Sequence, residues 1–360
     1  MASDQLLPYD AVFEILTQLN SLKALDICKA VSKEWKEVIQ ESSFASTHCR
    51  RTGTISGYFV QDLRFNKHVT MFVTPDNVGV CMKSLPKDTK ILASSSKQGI
   101  LCCEREIEKG SKRLSRYLAY IPITGQLRDL PNPKTRHETV SVTLMVAGAQ
   151  PLCFKIIRLS KRGFIRRYSE QYKYGCEIFD SGTWTWKEAS DELSLPFREI
   201  IARNSSVSVA DSVHWLTTED NILSYNITNN SFSKFPLPKP VQENLHSYKS
   251  KQLFEYEGKL GLVCLTEGRD MDLWIMNDIK NQTWKKERLA NIETLESFVQ
   301  YPFLLGFYNS HVVFVEGGFN EVGFYKLQDS SFSSVKLGRL DRASEIFRFR
   351  SDVEPDYLSL

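Results

Sequence analysis

The spacing of apolar positions along the chain changes near residue 55. Before it, Val12, Ile15, Leu16 and Leu19 fall at i, i+3, i+4 and i+7 within LPYDAVFEILTQL, one stripe of a helix. Pro8 suits a first turn, where a missing N–H costs nothing. Asp10 and Glu14 stand near the positive end of the helix dipole. A second helix is predicted in NSLKALDICKAV, capped by Asn20 or Ser21, with Ala24, Ile27, Cys28 and Val31 on its stripe. A third opens at Ser32, with Val31, Trp35, Val38 and Ile39 on one side and Lys33, Glu34, Lys36 and Glu37 on the other. Those four charges cancel, so this helix lacks the surplus positive charge that phosphate binding requires. Trp35 therefore reads as a packing residue.

A helical unit of about 40 residues buries too little surface to be stable alone. Leu7, Phe13, Leu22 and Leu25 add further apolar surface. The unit must either pack on the rest of the chain or offer an apolar face to a partner.

After residue 55, short apolar runs alternate with clusters of Gly, Asn, Asp and Ser, the pattern of many short strands. Five segments stack as a weak repeat: YLAYIPITGQLRDLP, CEIFDSGTWTWKEAS, ILSYNITNNSFSKFPLP, DLWIMNDIKNQTWKKE and EVGFYKLQDSSFSSVKL. Each reads strand, polar turn, then an apolar anchor opening the next strand. The anchors Leu127, Trp184, Phe232, Trp284 and Phe332 lie 57, 48, 52 and 48 residues apart. Upstream strands are predicted at GILCC, FKIIRL, SVHWL, LGLVCL and VVFV. A repeat near 50 residues built of three or four strands suits a propeller blade, whose small sheet needs neighbours to cover both faces. Roughly 300 residues at that period give about six degenerate blades, the first (about 55–93) the most irregular. A β-sandwich is the rival. The expected class is thus α+β multidomain: a short three-helix unit followed by an all-β propeller-like domain.

The segment LPYDAVFEILTQLNSLKALDICKAVSKEWKEVI resembles an F-box, the module by which F-box proteins dock on a SKP-type adaptor. The matching residues are Leu7-Pro8, Ile15-Leu16-Thr17-Gln18-Leu19, and Cys28 to Trp35 with Val31-Ser32-Lys33 between. Many members carry Pro just after the first helix, where this chain has Asn20. The resemblance implies that Leu7, Pro8, Ile15, Leu16, Leu25, Val31 and Trp35 form or support the adaptor-binding face. The β segments SSKQGILCC, VHWLTTEDNILSYNITNNSFSKFPLP and MDLWIMNDIKNQTW are similar to the F-box-associated or kelch-like propeller domains of a large plant F-box family. Kelch proper has recurrent Gly-Gly doublets; here Gly317-Gly318 stands alone. The implied domains are 1–48 F-box (core 6–44), 49–94 linker and first blade, 95–350 propeller and 351–360 tail.

Composition fits. Hydrophobic residues make up 42% and aromatics 11% of 360 residues, ample for a core. A formal charge of +3 gives no global reason to expect a polyanion. No apolar run approaches a bilayer span, and the first twenty residues carry acids but no Lys or Arg, unlike a secretory leader. Cytoplasm or nucleus is expected. The eight cysteines show no C-x-x-C pair, so buried thiols are expected rather than disulfides.

Chemistry is sparse. Hydrolase, Walker and dinucleotide-binding motifs are all missing, and the six histidines are scattered singly, so no catalytic residue, metal or cofactor is expected. Cys102 and Cys103 would point to opposite faces of a strand. One basic cluster, RLSKRGFIRRY, holds Arg158, Lys161, Arg162, Arg166 and Arg167. It reads either as a solvated loop or as a rim patch for acidic substrate segments. The F-box resemblance implies a substrate receptor of an SCF-type cullin-RING ubiquitin ligase, linked through a SKP-type adaptor to cullin and RING subunits, with an unknown protein substrate. A propeller enzyme or glycan-binding protein with an incidental helical cap is the alternative, as is an F-box protein acting outside a ligase, for example as a transcriptional cofactor.

Overall fold

A computed structural model describes residues 8–19, 22–40, 44, 47–48, 51, 55–64, 67–75, 83–95, 98–109, 112–149, 152–162, 171–202, 206–243, 248–266, 270–279, 281–299, 303–309, 311–318, 320–338, 340 and 345–351. Leu7, Arg166, Arg167 and the predicted caps Asn20 and Ser21 lie outside the described residues.

Among the described residues, α1 (Tyr9–Thr17), α2 (Leu22–Lys29) and α3 (Lys33–Gln40) precede the sheets, with further helical residues at 44, 47–48 and 51. The strands then fall into six small sheets, a six-bladed propeller. The first sheet holds β1 (Ile55–Arg64) and β2 (Lys67–Val73). The second holds β3 (Thr89–Ser94), β4 (Leu101–Lys109), β5 (Lys112–Ile121) and β6 (Gln126–Asp129). The third holds β7 (Glu138–Ala149), β8 (Leu152–Arg162), β9 (Gln171–Asp180), β10 (Thr185–Glu188) and β11 (Leu193–Pro196). Both β10 and β11 pair with β9, so they are one outer strand broken at its middle. The fourth holds β12 (Val207–Val209), β13 (Ser212–Leu216), β14 (Asn221–Asn226) and β15 (Ser231–Pro236). The fifth holds β16 (Tyr248–Tyr256), β17 (Lys259–Thr266), β18 (Asp270–Asp278) and β19 (Thr283–Asn291); the sixth, β20 (Phe303–Asn309), β21 (Val312–Gly318), β22 (Glu321–Lys326) and β23 (Phe332–Lys336).

The last strand, β24 (Glu345–Ser351), returns to pair with β1, from Ile55↔Ser351 to Gln61↔Glu345. It also meets β3, as β3 meets β7, β7 meets β12, β12 meets β16 and β16 meets β20. These contacts identify β24 as the innermost strand of the first blade. The sequence-based boundary is therefore corrected. The first blade does not run to residue 93: β3 begins the second blade, and the missing strand of the first comes from the far end of the chain.

Closure is visible in the core. Six apolar clusters lie one between each pair of neighbouring blades, around the whole ring. Successive residues of a strand serve opposite neighbours. Cys102 packs towards the third blade and Cys103 towards the first, as alternation requires. A seventh cluster belongs to the helices.

The repeat seen in the sequence marks the third and fourth strands of each blade. Its turn contains one left-handed residue per complete blade: Gly125, Trp184, Asn230, Gln282 and Ser330, with φ of 75°, 53°, 53°, 52° and 54°. Aspartate and asparagine side chains close these turns. Asp180 Oδ1 accepts from the Gly182 N–H (2.8 Å), Asn226 Oδ1 from Asn229 (2.8 Å), Asp278 Oδ1 from Asn281 (3.2 Å) and Asp329 Oδ1 from Ser331 (3.0 Å). That chemistry is why the turns are rich in these residues.

Antiparallel meanders divide the loops between two ends of the ring. First-to-second and third-to-fourth turns share one end; second-to-third turns and the crossings between blades share the other. Lys36 of α3 pairs with Glu257 in the β16–β17 turn at 2.9 Å, at the first of these ends.

Candidate functional site

Ser32 caps α3, its Oγ accepting from the Trp35 N–H at 3.1 Å, as its place in the sequence predicted. Val12, Leu16, Leu25, Val38 and Phe44 form the helical core, with Phe13, Leu19, Cys28, Trp35 and Ile39 partly buried against it. His48 stacks on Phe44 at 5.7 Å and reaches the Leu19 carbonyl at 2.7 Å, while its burial pushes the imidazole pKa down. Arg51 ties this region to α1 through Glu14 (2.6 Å), and that hydrogen bond holds the Glu14 carboxyl below the usual range.

Three predicted stripe residues are not in this core. Ile15 is 48%, Ile27 61% and Val31 61% exposed, and Tyr9 and Pro8 are exposed with them. Val31 sits in the turn before α3 rather than on the helix. Short helices and Phe44 enclose one small core, so the outer apolar residues stay in water. The seven residues drawn from the F-box resemblance thus divide. Pro8, Ile15 and Val31 lie on the surface, Leu16 and Leu25 are fully buried supports, Trp35 is half-buried, and Leu7 is outside the described residues.

The basic cluster also divides. Arg158 is no rim residue: it is buried beside Glu177, its cross-strand partner, in a charge-assisted hydrogen bond. Arg158 also donates to Thr139 Oγ1 (2.9 Å), Thr135 Oγ1 (3.1 Å) and the His137 carbonyl (2.6 Å). Glu177 takes the Thr135 N–H and hydroxyl at 3.0 and 2.7 Å. Arg162 is held by Glu192 at 3.0 Å and Glu188 at 3.5 Å. Lys161 remains, lying 3.7 Å above the ring of Tyr172.

Four thiols are closed off by burial. Burial pushes the thiols of Cys102 and Cys103 far up and those of Cys176 and Cys264 up to about 12, so all four stay protonated at neutral pH. Burial drives His214 down to about 4, and neither of its ring nitrogens has a hydrogen-bond partner among the described residues. Among the described residues no group of three or more His, Cys, Asp or Glu is placed to hold a metal. No described helix is long and apolar enough to cross a membrane.

Residues 62–351, nearly the whole ring, match the F-box associated beta propeller domain. The chain belongs to that family. Curated relatives carry the same prefix: "F-box protein At5g41720" of Arabidopsis thaliana is 32% identical over 162 residues, 43% of this chain and 86% of the relative. "F-box/kelch-repeat protein At4g19930", from the same plant, is 24% identical over 312 residues, 79% of this chain and 69% of the relative. Among solved structures, a Pyrococcus horikoshii acylaminoacyl peptidase overlays with TM-score 0.42 at 10% identity, covering 79% of this chain and 50% of that one. That overlay is too slight to carry any functional argument.

As an F-box associated propeller, the chain has a feature that sequence reasoning missed. Phe197 is 49% and Ile200 44% exposed on the turn that leaves β11, at the end of the ring away from the β16–β17 turn. Glu199 between them is buried. Burial works to raise its carboxyl, but hydrogen bonds from Lys234 (2.9 Å), Thr217 (2.8 Å) and Asn221 (2.9 Å) outweigh it and hold the pKa low. In PFREII one acid sits among apolar and basic residues, and only the fold reveals which of them point outward.

Proposed function

We propose that this chain is the substrate receptor of an SCF-type ubiquitin ligase and has no catalytic step of its own. The helices dock on a SKP-type adaptor, the ring holds a protein target, and ubiquitin is transferred on other subunits. Its contribution is effective concentration: target and transfer machinery are held together on one scaffold. The observation that carries this reading is the exposed apolar set Pro8, Ile15 and Val31 on a helical unit joined to one end of a closed propeller. Large apolar side chains kept in water by a unit with a complete core of its own mark a binding face. The F-box names of the relatives support it, and cytoplasm or nucleus is the matching residence.

The test is co-purification of the full chain with a SKP-type adaptor. Ile15→Asp with Val31→Asp, and separately Leu7→Ala with Pro8→Ala, are expected to abolish capture while leaving propeller melting unchanged. Undiminished capture by both double variants would overturn the assignment of the face.

A further inference from the structure

Three side chains of the third blade, Lys161, Tyr172 and Phe197, are layered beside the core it shares with the fourth. Lys161 Nζ lies 3.7 Å from the centre of the Tyr172 ring, and Tyr172 stacks on Phe197 at 5.1 Å with 25° between planes. Tyr172 packs inward against the core shared by these blades, so the stack is rooted rather than free. Ile200 extends the apolar surface beyond Phe197.

The turn that carries them is fixed. The Glu199 N–H donates to the Pro196 carbonyl at 2.9 Å, and the Ile200 N–H to Thr218 Oγ1 at 3.1 Å. The Thr218 N–H donates to the Ile200 carbonyl at 2.9 Å, and its hydroxyl to the Arg198 carbonyl at 3.2 Å. Beneath lies the buried carboxylate of Glu199 with its three donors. A turn this well tied could turn Phe197 and Ile200 inward only by breaking those bonds. It holds their backbone in place with the side chains in water, which lowers the ordering cost of a contact.

Charge selects the partner. Glu188 and Glu192 are engaged by Arg162, and Glu192 also by Lys173. No ion pair joins Lys161 or Arg198 to a carboxylate among the described residues; exposed Glu138 lies opposite Lys161 across β7 and β8, and exposed Glu219 is on the neighbouring turn. The stack therefore has an apolar centre flanked by available cations.

We infer that this ledge binds an extended acidic segment of a target protein. An aromatic or branched aliphatic side chain lies on Phe197 and Ile200, and adjoining carboxylates meet Lys161 and Arg198. The inference rests on the receptor reading above and names the chemistry of its target.

The experiment selects a random dodecapeptide library displayed on phage against the full chain, then measures the enriched peptides on Phe197→Ser and Arg198→Glu. Both residues are exposed, and unchanged melting confirms that the variants fold. Enriched peptides are expected to carry Asp or Glu beside Phe, Leu or Ile. Each variant is expected to bind them at least about tenfold more weakly, as for an anchor at an interface. Enrichment of peptides without acids, no enrichment, or binding by both variants as tight as by the unaltered chain overturns the ledge. So does tighter binding of a twelve-nucleotide oligouridylate, which would make the ledge a single-stranded RNA site. Adaptor capture separates the two readings. A chain that captures adaptor yet enriches no such peptide overturns the ledge alone; one that enriches the peptides without capturing adaptor overturns the receptor reading alone.

Discussion

Arg158 and Glu177 sit opposite one another on β8 and β9, both shut away from solvent, and each satisfies most of its remaining hydrogen-bonding capacity through residues 135–139. The pair thereby pins the crossing from the second blade to the third onto the sheet it leads into.

Removing one partner should be costly because the other stays buried and charged. Glu177→Gln is expected to lower stability by about 3–5 kcal/mol, and Arg158→Met with Glu177→Leu together to lower it by less than Glu177→Gln alone. Urea unfolding of the three proteins checks this. Equal losses for the single and double changes would mean that the charges are not coupled.

His214 sets a pH dependence. The folded chain holds its imidazole neutral down to about 4, against an ordinary value of 6.5. Between those values the unfolded chain binds a proton that the folded one refuses, so stability falls as pH drops through that window and is unaffected above it. The loss is on the order of 3 kcal/mol. His214→Leu should remove this share of the acid sensitivity with little effect at pH 7.5, since neither ring nitrogen has a partner among the described residues to lose. Unfolding curves at pH 7.5 and 4.5 give the comparison.

Phe349 is the apolar centre of ring closure. It is fully buried, 5.1 Å from Phe59 and 5.8 Å from Phe72 between ring centres. Phe349→Ala should cost about 3–5 kcal/mol and raise the rate of hydrogen exchange in β1 before it does so in β13. Uniform loss of protection throughout the ring would contradict this.

The cap of α3 can be tested on its own. Ser32→Ala is expected to destabilise the helical unit by about 1 kcal/mol, read as faster proteolysis between α2 and α3 with propeller melting unchanged.

What was legible in the sequence was local. GILCC, FKIIRL, SVHWL, LGLVCL and VVFV each fall within or lead into the second strand of a blade, and Leu127, Trp184, Phe232, Trp284 and Phe332 each lie within one position of the start of the fourth. Strand and turn chemistry repeats with the blade, so one chain displays it five times. The first blade was misjudged because its inner strand is almost three hundred positions away from its neighbour: Ile55 pairs with Ser351. Burial at blade edges was equally hidden. Arg158 read as part of a surface cluster until its register placed Glu177 across from it. Ile15 and Val31 lie on apolar stripes in the sequence, and only the smallness of the helical unit shows that they stay outside its core. The ledge joins Lys161, Tyr172 and Phe197 from three segments, none of which is distinctive alone.

The pairing of β1 with β24 has a consequence for synthesis. The helices leave the ribosome before the strands, whereas the strand that completes the first blade is made after the other described strands. A chain cut short before residue 345 would carry intact helices on a ring with an open seam, exposing Phe59 and Phe72 to water. Under the proposed function such a fragment would occupy adaptor without holding a target, so truncated forms should act as competitors of the complete receptor rather than as weak versions of it.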